Sequence, residues 1–334
     1  MGKSNRKLLW SLGCGVLLVL NGFTAAGYYF YHLAIKRNKK KFLQNSMDLK
    51  PNIDHTEARK EAGAEDTLKE ASCGGIDWVE QHPFETYTIL SEDGLKLVGY
   101  YLPAKVPTVK TVILAHGYSS YAKEMGDFAR FYHEKLGYHV LMPDARGHGA
   151  SGGDYIGFGW HERRDYISWI RWAINHIGTD VQIALHGISM GAATVMMASG
   201  EELPDQVKAI VEDCGYTTVK DELSYQLKRM YHLPPFPVVS FTSVITNFKA
   251  GYRFSEASAL RQVKKNRTPI LFIHGGEDTF VPTEMVYTLY DACKAEKELL
   301  IVEGAGHGLA YTIDPEGYEK KTMEFLDRYI ETGE

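Results

Sequence analysis

At 334 residues, 44% hydrophobic and 24% charged, the chain can build a sizeable core as one large domain or two small ones. Its net charge of −5 hides an asymmetry: residues 1–60 hold 11 of the 37 Lys and Arg but 3 of the 42 Asp and Glu, leaving 26 against 39 beyond them. So acidic a remainder argues against nucleic acid as a partner. Four scattered cysteines (Cys14, Cys73, Cys214, Cys293), with no C-x-x-C spacing, indicate neither a disulfide framework nor a zinc site.

Leu8 to Ile35 is a long apolar run, broken by Ser11, Asn21, Thr24 and His32 and flanked by basic residues on both sides. About 20 apolar residues span a bilayer, and Trp10 with Tyr28, Tyr29 and Tyr31 suit its two interfaces. Residues 1–35 therefore read as a single-pass membrane anchor, and the expected localisation is a membrane. A cleaved signal peptide is the alternative, with Leu8–Leu20 as its apolar region and Thr24-Ala25-Ala26 as a weak cleavage site. Three basic residues before the run against five after it mildly favour a cytoplasmic catalytic domain, a margin that leaves the side open. Residues 36–77 are highly charged and read as a linker. Because every chemical motif lies further on, a chain lacking residues 1–35 is expected to keep its activity.

The globular part is expected over residues 78–334. Phe84–Leu90 and Leu95–Leu102 alternate around Glu92-Asp93-Gly94, a hairpin pattern. Strands and helices then take turns: Thr111–His116 as a strand, Ala122–Leu136 as a helix, Tyr138–Pro143 as a strand and Trp160–Ile177 as a helix. Val181–Leu185 opens another strand, followed by Val207–Glu212, Ile270–His274 and Leu299–Val302, with helices at Glu284–Ala292 and Tyr318–Ile330. Such alternation predicts a mostly parallel sheet with helices on both faces, whose ligand site lies beyond the carboxyl ends of the strands.

Gly187-Ile188-Ser189-Met190-Gly191 sits between one of these strands and a run of small residues that reads as a helix. A sharp strand-to-helix turn holds its middle residue in a strained conformation and needs tiny neighbours, which Gly187 and Gly191 supply. It exposes a serine hydroxyl at the sheet's carboxyl edge, with a helix N-terminus behind it. A serine needs a base, and the base an acceptor that fixes its tautomer. Asp278 in HGGEDTFVP and His307 in GAGHGL follow in that order, while Asp213 competes for the acid's role. His148 reads as a locally bonded loop histidine, Asp144 and Arg146 as an ion pair, and Cys214 as a buried thiol.

With HGYSS, DARGHGASGG, GISMG, HGGEDTFVP and GAGH in sequence, the chain from about Trp78 resembles the alpha/beta hydrolases, in particular membrane-anchored bacterial members of the serine aminopeptidase-like and lysophospholipase-like group. The resemblance implies Ser189 as nucleophile, His307 as general base and acid, and Asp278 as the orienting carboxylate. It implies an oxyanion hole made by the backbone N–H groups of Tyr118 and Met190. Residues from about 217 to 254 would form a small cap, whose Tyr231–Phe241 part is the best candidate for an acyl pocket, with Phe236 bounding it. A hydrolase of short to medium carboxylic esters is expected, with no metal or organic cofactor. A serine peptidase is the alternative; it would need an acidic clamp for a free amine, for which Glu222 and Asp221 are the nearby candidates. A non-catalytic binding module, the third reading, predicts a broken triad. Acyl length and oligomeric state are not legible.

Overall fold

Eight stretches between residues 85 and 302 pair into one sheet, and its central strands are apolar because they bury side chains on both faces. In the computed structural model, which describes residues 20–40, 43 and 74–331, these strands are β1 (Glu85–Leu90), β2 (Lys96–Leu102), β3 (Lys110–Ala115), β4 (His139–Pro143), β5 (Gln182–Ile188), β6 (Val207–Asp213), β7 (Ile270–Gly275) and β8 (Lys297–Val302). Their spatial order is β1-β2-β4-β3-β5-β6-β7-β8. β2 runs antiparallel to both β1 and β4, and every later pairing is parallel. The period-2 alternation of a strand divides the core in two. Ile113, Ile183, Leu185 and Phe272 face one side with Trp169 and Ile170, while Val112, Leu114, Val211 and Ile273 face the other with Tyr132, Tyr318 and Phe325.

A helix over 74–81 precedes β1, and the helices after β1 are α1 (Gly126–Arg130), α2 (Glu162–Ile177), α3 (Met190–Ala198), α4 (Val219–Tyr231), α5 (Pro235–Ala250), α6 (Ala259–Val263), α7 (Glu284–Ala292), α8 (Ala310–Ile313) and α9 (Pro315–Leu326). The helix expected over Ala122–Leu136 is irregular. It opens as a 3₁₀ turn, Ala122–Met125, passes through α1 and closes as a π turn, Phe131–Lys135. The last helix begins before the expected Tyr318, because the Asp314 side chain accepts the Gly317 N–H and Pro315 occupies the first turn.

The expected membrane anchor is corrected. Among the described residues no helix is long and apolar enough to cross a membrane, so neither the anchor nor the membrane localisation is supported. Residues 1–19 of that expectation, and most of the linker, lie outside the described residues. The part that is described, 20–40, forms a helix over 20–30 and a π-helical turn, Tyr31–Ile35, lying against the hydrolase fold. Tyr31 and Ile35 join the core cluster that holds Ile113 and Trp169, with Ile35 fully buried. The Ile156 N–H donates to the Ile35 carbonyl at 2.8 Å, and the Arg37 N–H to the Asp154 carbonyl at 2.8 Å. The Arg37 guanidinium donates to the carbonyls of Ser151 and Gly149. These apolar residues are buried by protein, so the segment is not the separable appendage that its composition suggests.

Candidate active site

β5 ends at Ile188 and α3 begins at Met190, leaving Ser189 in the turn between them at φ 56° and ψ −114°. A Cβ on Gly187 would overlap the Gly191 backbone, and one on Gly191 would overlap the carbonyl of Ala115 at the end of β3. The two glycines are thus required by close backbone approach, and the serine is held in strained geometry by the packing around it. The Ser189 N–H is itself tied to the Asp213 carbonyl at 2.8 Å.

The loop after β8 brings His307 to this turn. Its Nε2 lies 2.8 Å from Ser189 Oγ, and its Nδ1 lies 2.8 Å from Asp278 Oδ2. With Nδ1–H donating to the carboxylate, Nε2 is left as the acceptor that faces the hydroxyl. Asp278, in the loop after β7, is fixed through its other oxygen, which accepts the N–H groups of Phe280 at 2.9 Å and Val281 at 2.8 Å. Burial opposes its ionisation, yet the nearby His307 and a hydrogen bond from His274 outweigh this and hold the carboxyl well below the usual range. His274 Nε2 lies 3.2 Å from the same Oδ2 and 2.9 Å from the Val281 carbonyl. The Phe280 ring packs on His307 with centroids 4.9 Å apart.

The Tyr118 turn lies beside the serine, since a Cβ on Gly117 would stand 3.6 Å from that of Ser189. Among the described residues neither the Tyr118 nor the Met190 backbone N–H has a protein acceptor. Met190 also opens α3, whose aligned peptide dipoles favour negative charge at that end.

The other sequence candidates stand elsewhere. Asp213 is buried behind the turn, where one oxygen accepts from Tyr318 Oη at 3.1 Å and the other has no partner among the described residues. His148 is engaged at both ring nitrogens, by the Arg146 carbonyl and the Ser119 N–H, and burial pushes it down to about 3. The expected Asp144–Arg146 pair is not formed. Arg146 pairs with Asp165 and Asp93, and Asp144 accepts the N–H groups of Ala122 and Ala150. Burial raises the Cys214 thiol well above its ordinary range. Its sulfur, Asp278 and His307 form the one group among the described residues whose atoms lie close enough to hold a metal ion. The last two already bond each other, and burial disfavours the thiolate a metal would need.

Ser189 opens into a cavity of about 100 Å³ with almost wholly apolar walls. α4 and α5 supply much of it, including Leu223, Tyr231, Val238 and Val239. Phe236 does not: it is 78% exposed, because the extended backbone at this residue turns the ring away from the first turn of α5. The walls that sequence reasoning missed come from the amino-terminal segment, namely Phe30, Leu33, Ala34 and Leu43. The Tyr118 hydroxyl donates to the Ala34 carbonyl at 2.7 Å and seals that side. Apolarity was the only signal for these residues, and it reads equally as lipid-facing.

A strand–serine–helix turn at the carboxyl edge of a mostly parallel sheet, with a histidine and a carboxylate delivered by later loops, defines a serine hydrolase of the alpha/beta hydrolase superfamily. The sequence profile of the prolyl oligopeptidase family matches residues 127–333, and the chain belongs to that family. The Pyrococcus furiosus esterase Pf2001 is similar in structure, with a TM-score of 0.62 and 27% identity over 75% of this chain and 92% of its own. Acylaminoacyl peptidase of Pyrococcus horikoshii shares the fold at a TM-score of 0.55 and 19% identity, covering 77% of this chain and 43% of its own. In sequence, the protein YqkD of Bacillus subtilis is 29% identical over 98% of this chain and 100% of its own length. The lysophosphatidylserine lipase ABHD12 of Danio rerio is 26% identical over 49% of this chain and 42% of its own.

Proposed function

We propose that the protein hydrolyses carboxylic esters of short to medium acyl chains through an acyl-enzyme on Ser189. His307 Nε2 takes the hydroxyl proton as Oγ attacks the ester carbonyl, and Asp278 stabilises the imidazolium that forms. The backbone N–H groups of Tyr118 and Met190 meet the oxyanion, each such donor being worth about 10²–10³ in rate. His307 returns its proton to the leaving alcohol, and water then repeats the cycle on the acyl-enzyme.

The observation that carries the ester reading is the small apolar cavity at Ser189. A dry cavity of about 150 Å³ takes up a benzene-sized guest, so about 100 Å³ suits a chain of roughly six carbons or fewer. Helices α4 and α5 act here as the cap. Family membership favours a second reading, a serine peptidase, since the same groups cleave amides.

The test is to incubate the protein with a fluorophosphonate probe and then with p-nitrophenyl esters of graded length beside aminoacyl arylamides. The expected result is labelling that is lost in Ser189→Ala, and kcat/KM that rises with acyl length and falls beyond about six carbons. A steady rise to long chains would refute the compact pocket, and faster cleavage of the arylamides would install the peptidase reading.

A further inference from the structure

Glu222 is out of character with its surroundings. Among the described residues that wall the cavity it is the only carboxylate, and no amine accompanies it. It lies on α4, buried at 4% exposure. Its Oε1 accepts from Gln226 Nε2 at 2.7 Å, while Oε2 has no hydrogen-bond partner among the described residues.

The Gln226 amide cannot turn to change this. Its nitrogen also donates to the Phe280 carbonyl at 2.8 Å, and its oxygen accepts from the Arg229 guanidinium at 2.9 Å and 3.2 Å. Oε1 is therefore fixed as an acceptor, and Oε2 is the atom left over. The neighbouring Asp221 is not available as a partner in the site: its carboxylate accepts from Thr217 Oγ1, and its backbone N–H donates to Thr218 Oγ1, the side chain that caps α4. A leucine or valine would line the same wall without an orphaned oxygen, and a buried polar atom with no partner is a standing cost that a ligand can relieve. Burial first, and the charge of Asp278 after it, push the Glu222 carboxyl up to about 8, although Gln226 and His274 oppose them. Burial thus favours the neutral carboxyl, in which Oε2, the oxygen that does not accept from Gln226, can hold the proton and donate to an oxygen.

We infer that Glu222 selects substrates whose cavity-filling chain bears an uncharged oxygen function, a hydroxyl or carbonyl group, over plain alkyl chains. The apolar walls hold the carbon skeleton, and Oε2, covered in this structure, meets the single polar group through a small shift of the Glu222 side chain, so the residue sets specificity without entering the reaction. This rests on the proposal that Ser189 attacks a ligand in this cavity, and the test separates the two.

The full chain is labelled with a hexyl fluorophosphonate, with its isomers carrying one hydroxyl along the chain, and with the terminal amine analogue. The matching p-nitrophenyl hexanoates are assayed in parallel. At least one hydroxyl isomer should label wild type about tenfold faster than the parent, because a site built around a hydrogen bond rejects the ligand lacking it. Glu222→Leu should bring that ratio to about one. Glu222→Gln, which keeps a donor N–H, should hold it within about threefold of wild type, with melting curves checking that both variants are folded. A wild-type protein that labels every hydroxyl isomer more slowly than the parent overturns the inference, whatever the variants do. So does a ratio that survives Glu222→Leu. Preference for the amine, lost in Glu222→Gln, overturns it in favour of an ion-pair clamp. Normal labelling ratios without hydrolysis of any ester would leave the inference standing and remove the esterase reading, whereas a chain that no probe labels overturns both.

Discussion

Ile35 gives the sharpest test of whether the amino-terminal segment is part of the hydrolase domain. It is fully buried in the core cluster shared with Ile113 and Trp169, and it follows three residues that wall the cavity. Ile35→Ala removes most of a buried aliphatic side chain and leaves a cavity behind, a change that costs about 2–5 kcal/mol. In a domain of this size each kcal/mol lowers Tm by about 2–4 °C, so the expected loss is roughly 4–20 °C by differential scanning calorimetry. Tyr29→Ala, at a side chain 56% exposed, is the control and should stay within about 0.5 kcal/mol of wild type. A loosened Tyr31–Ile35 turn should also raise KM for medium-chain esters, since Leu33 and Ala34 face the cavity. Should Ile35→Ala melt with wild type and keep its acyl-length profile, the segment is an appendage and the packing argument fails. A chain lacking residues 1–35, fully stable and with the same profile, would say the same.

Two further outcomes follow from the groups around Ser189. Asp278→Asn should lower kcat by about four orders of magnitude, because an amide holds the wrong His307 tautomer; Asp213→Asn, which faces Tyr318 and not His307, should cost less than tenfold, and steady-state kinetics with the two effects reversed would move the acid to the end of β6. Glu212, buried in β6 with one oxygen lacking a partner among the described residues, is pushed up to about 8 by burial, with Asp213 adding to the rise. Its folded value thus lies above the unfolded one, so the stability it contributes is complete below about pH 4.5 and is lost as pH rises towards 8. Glu212→Gln mimics the protonated form, so its stability relative to wild type, followed through Tm, should climb between pH 5 and 8 by an amount on the order of 1–3 kcal/mol; a gap independent of pH refutes the assignment.

The linear chain carried the architecture because strands buried on both faces, and the turn chemistry between them, are local properties. Each parallel strand is five to seven residues long and shows as a short apolar run within that length. Ser189 shows because its strained turn demands glycines two residues away on either side, a constraint written within five positions. Asp278 and His307 were legible through glycine-rich loop wording, but the choice between Asp278 and Asp213 waited on the fold. Asp213 ends one strand and Asp278 follows the next strand of the same sheet, and only the loop after β7 carries its carboxylate to His307 Nδ1. The partner of Arg146 was decided in the same way, by which acids the fold brings beside it.

Apolarity by itself names no partner, and this is where the linear reading went furthest astray. A run that contains Phe30, Leu33 and Ile35 meets the hydropathy of a bilayer and that of a protein core equally well. Only the tertiary structure shows Ile35 under the sheet and Phe30 against the cavity. Phe236 is the converse, a large ring in the expected pocket stretch that the backbone turns outward. Glu222 could be nominated from its position on the chain, but its unpartnered oxygen depends on Gln226, Phe280 and Arg229 closing around the other one. Hydrogen-bond satisfaction is a property of three dimensions: the sequence determined which chemistry is present, and the folded packing decided which groups were left free to use it.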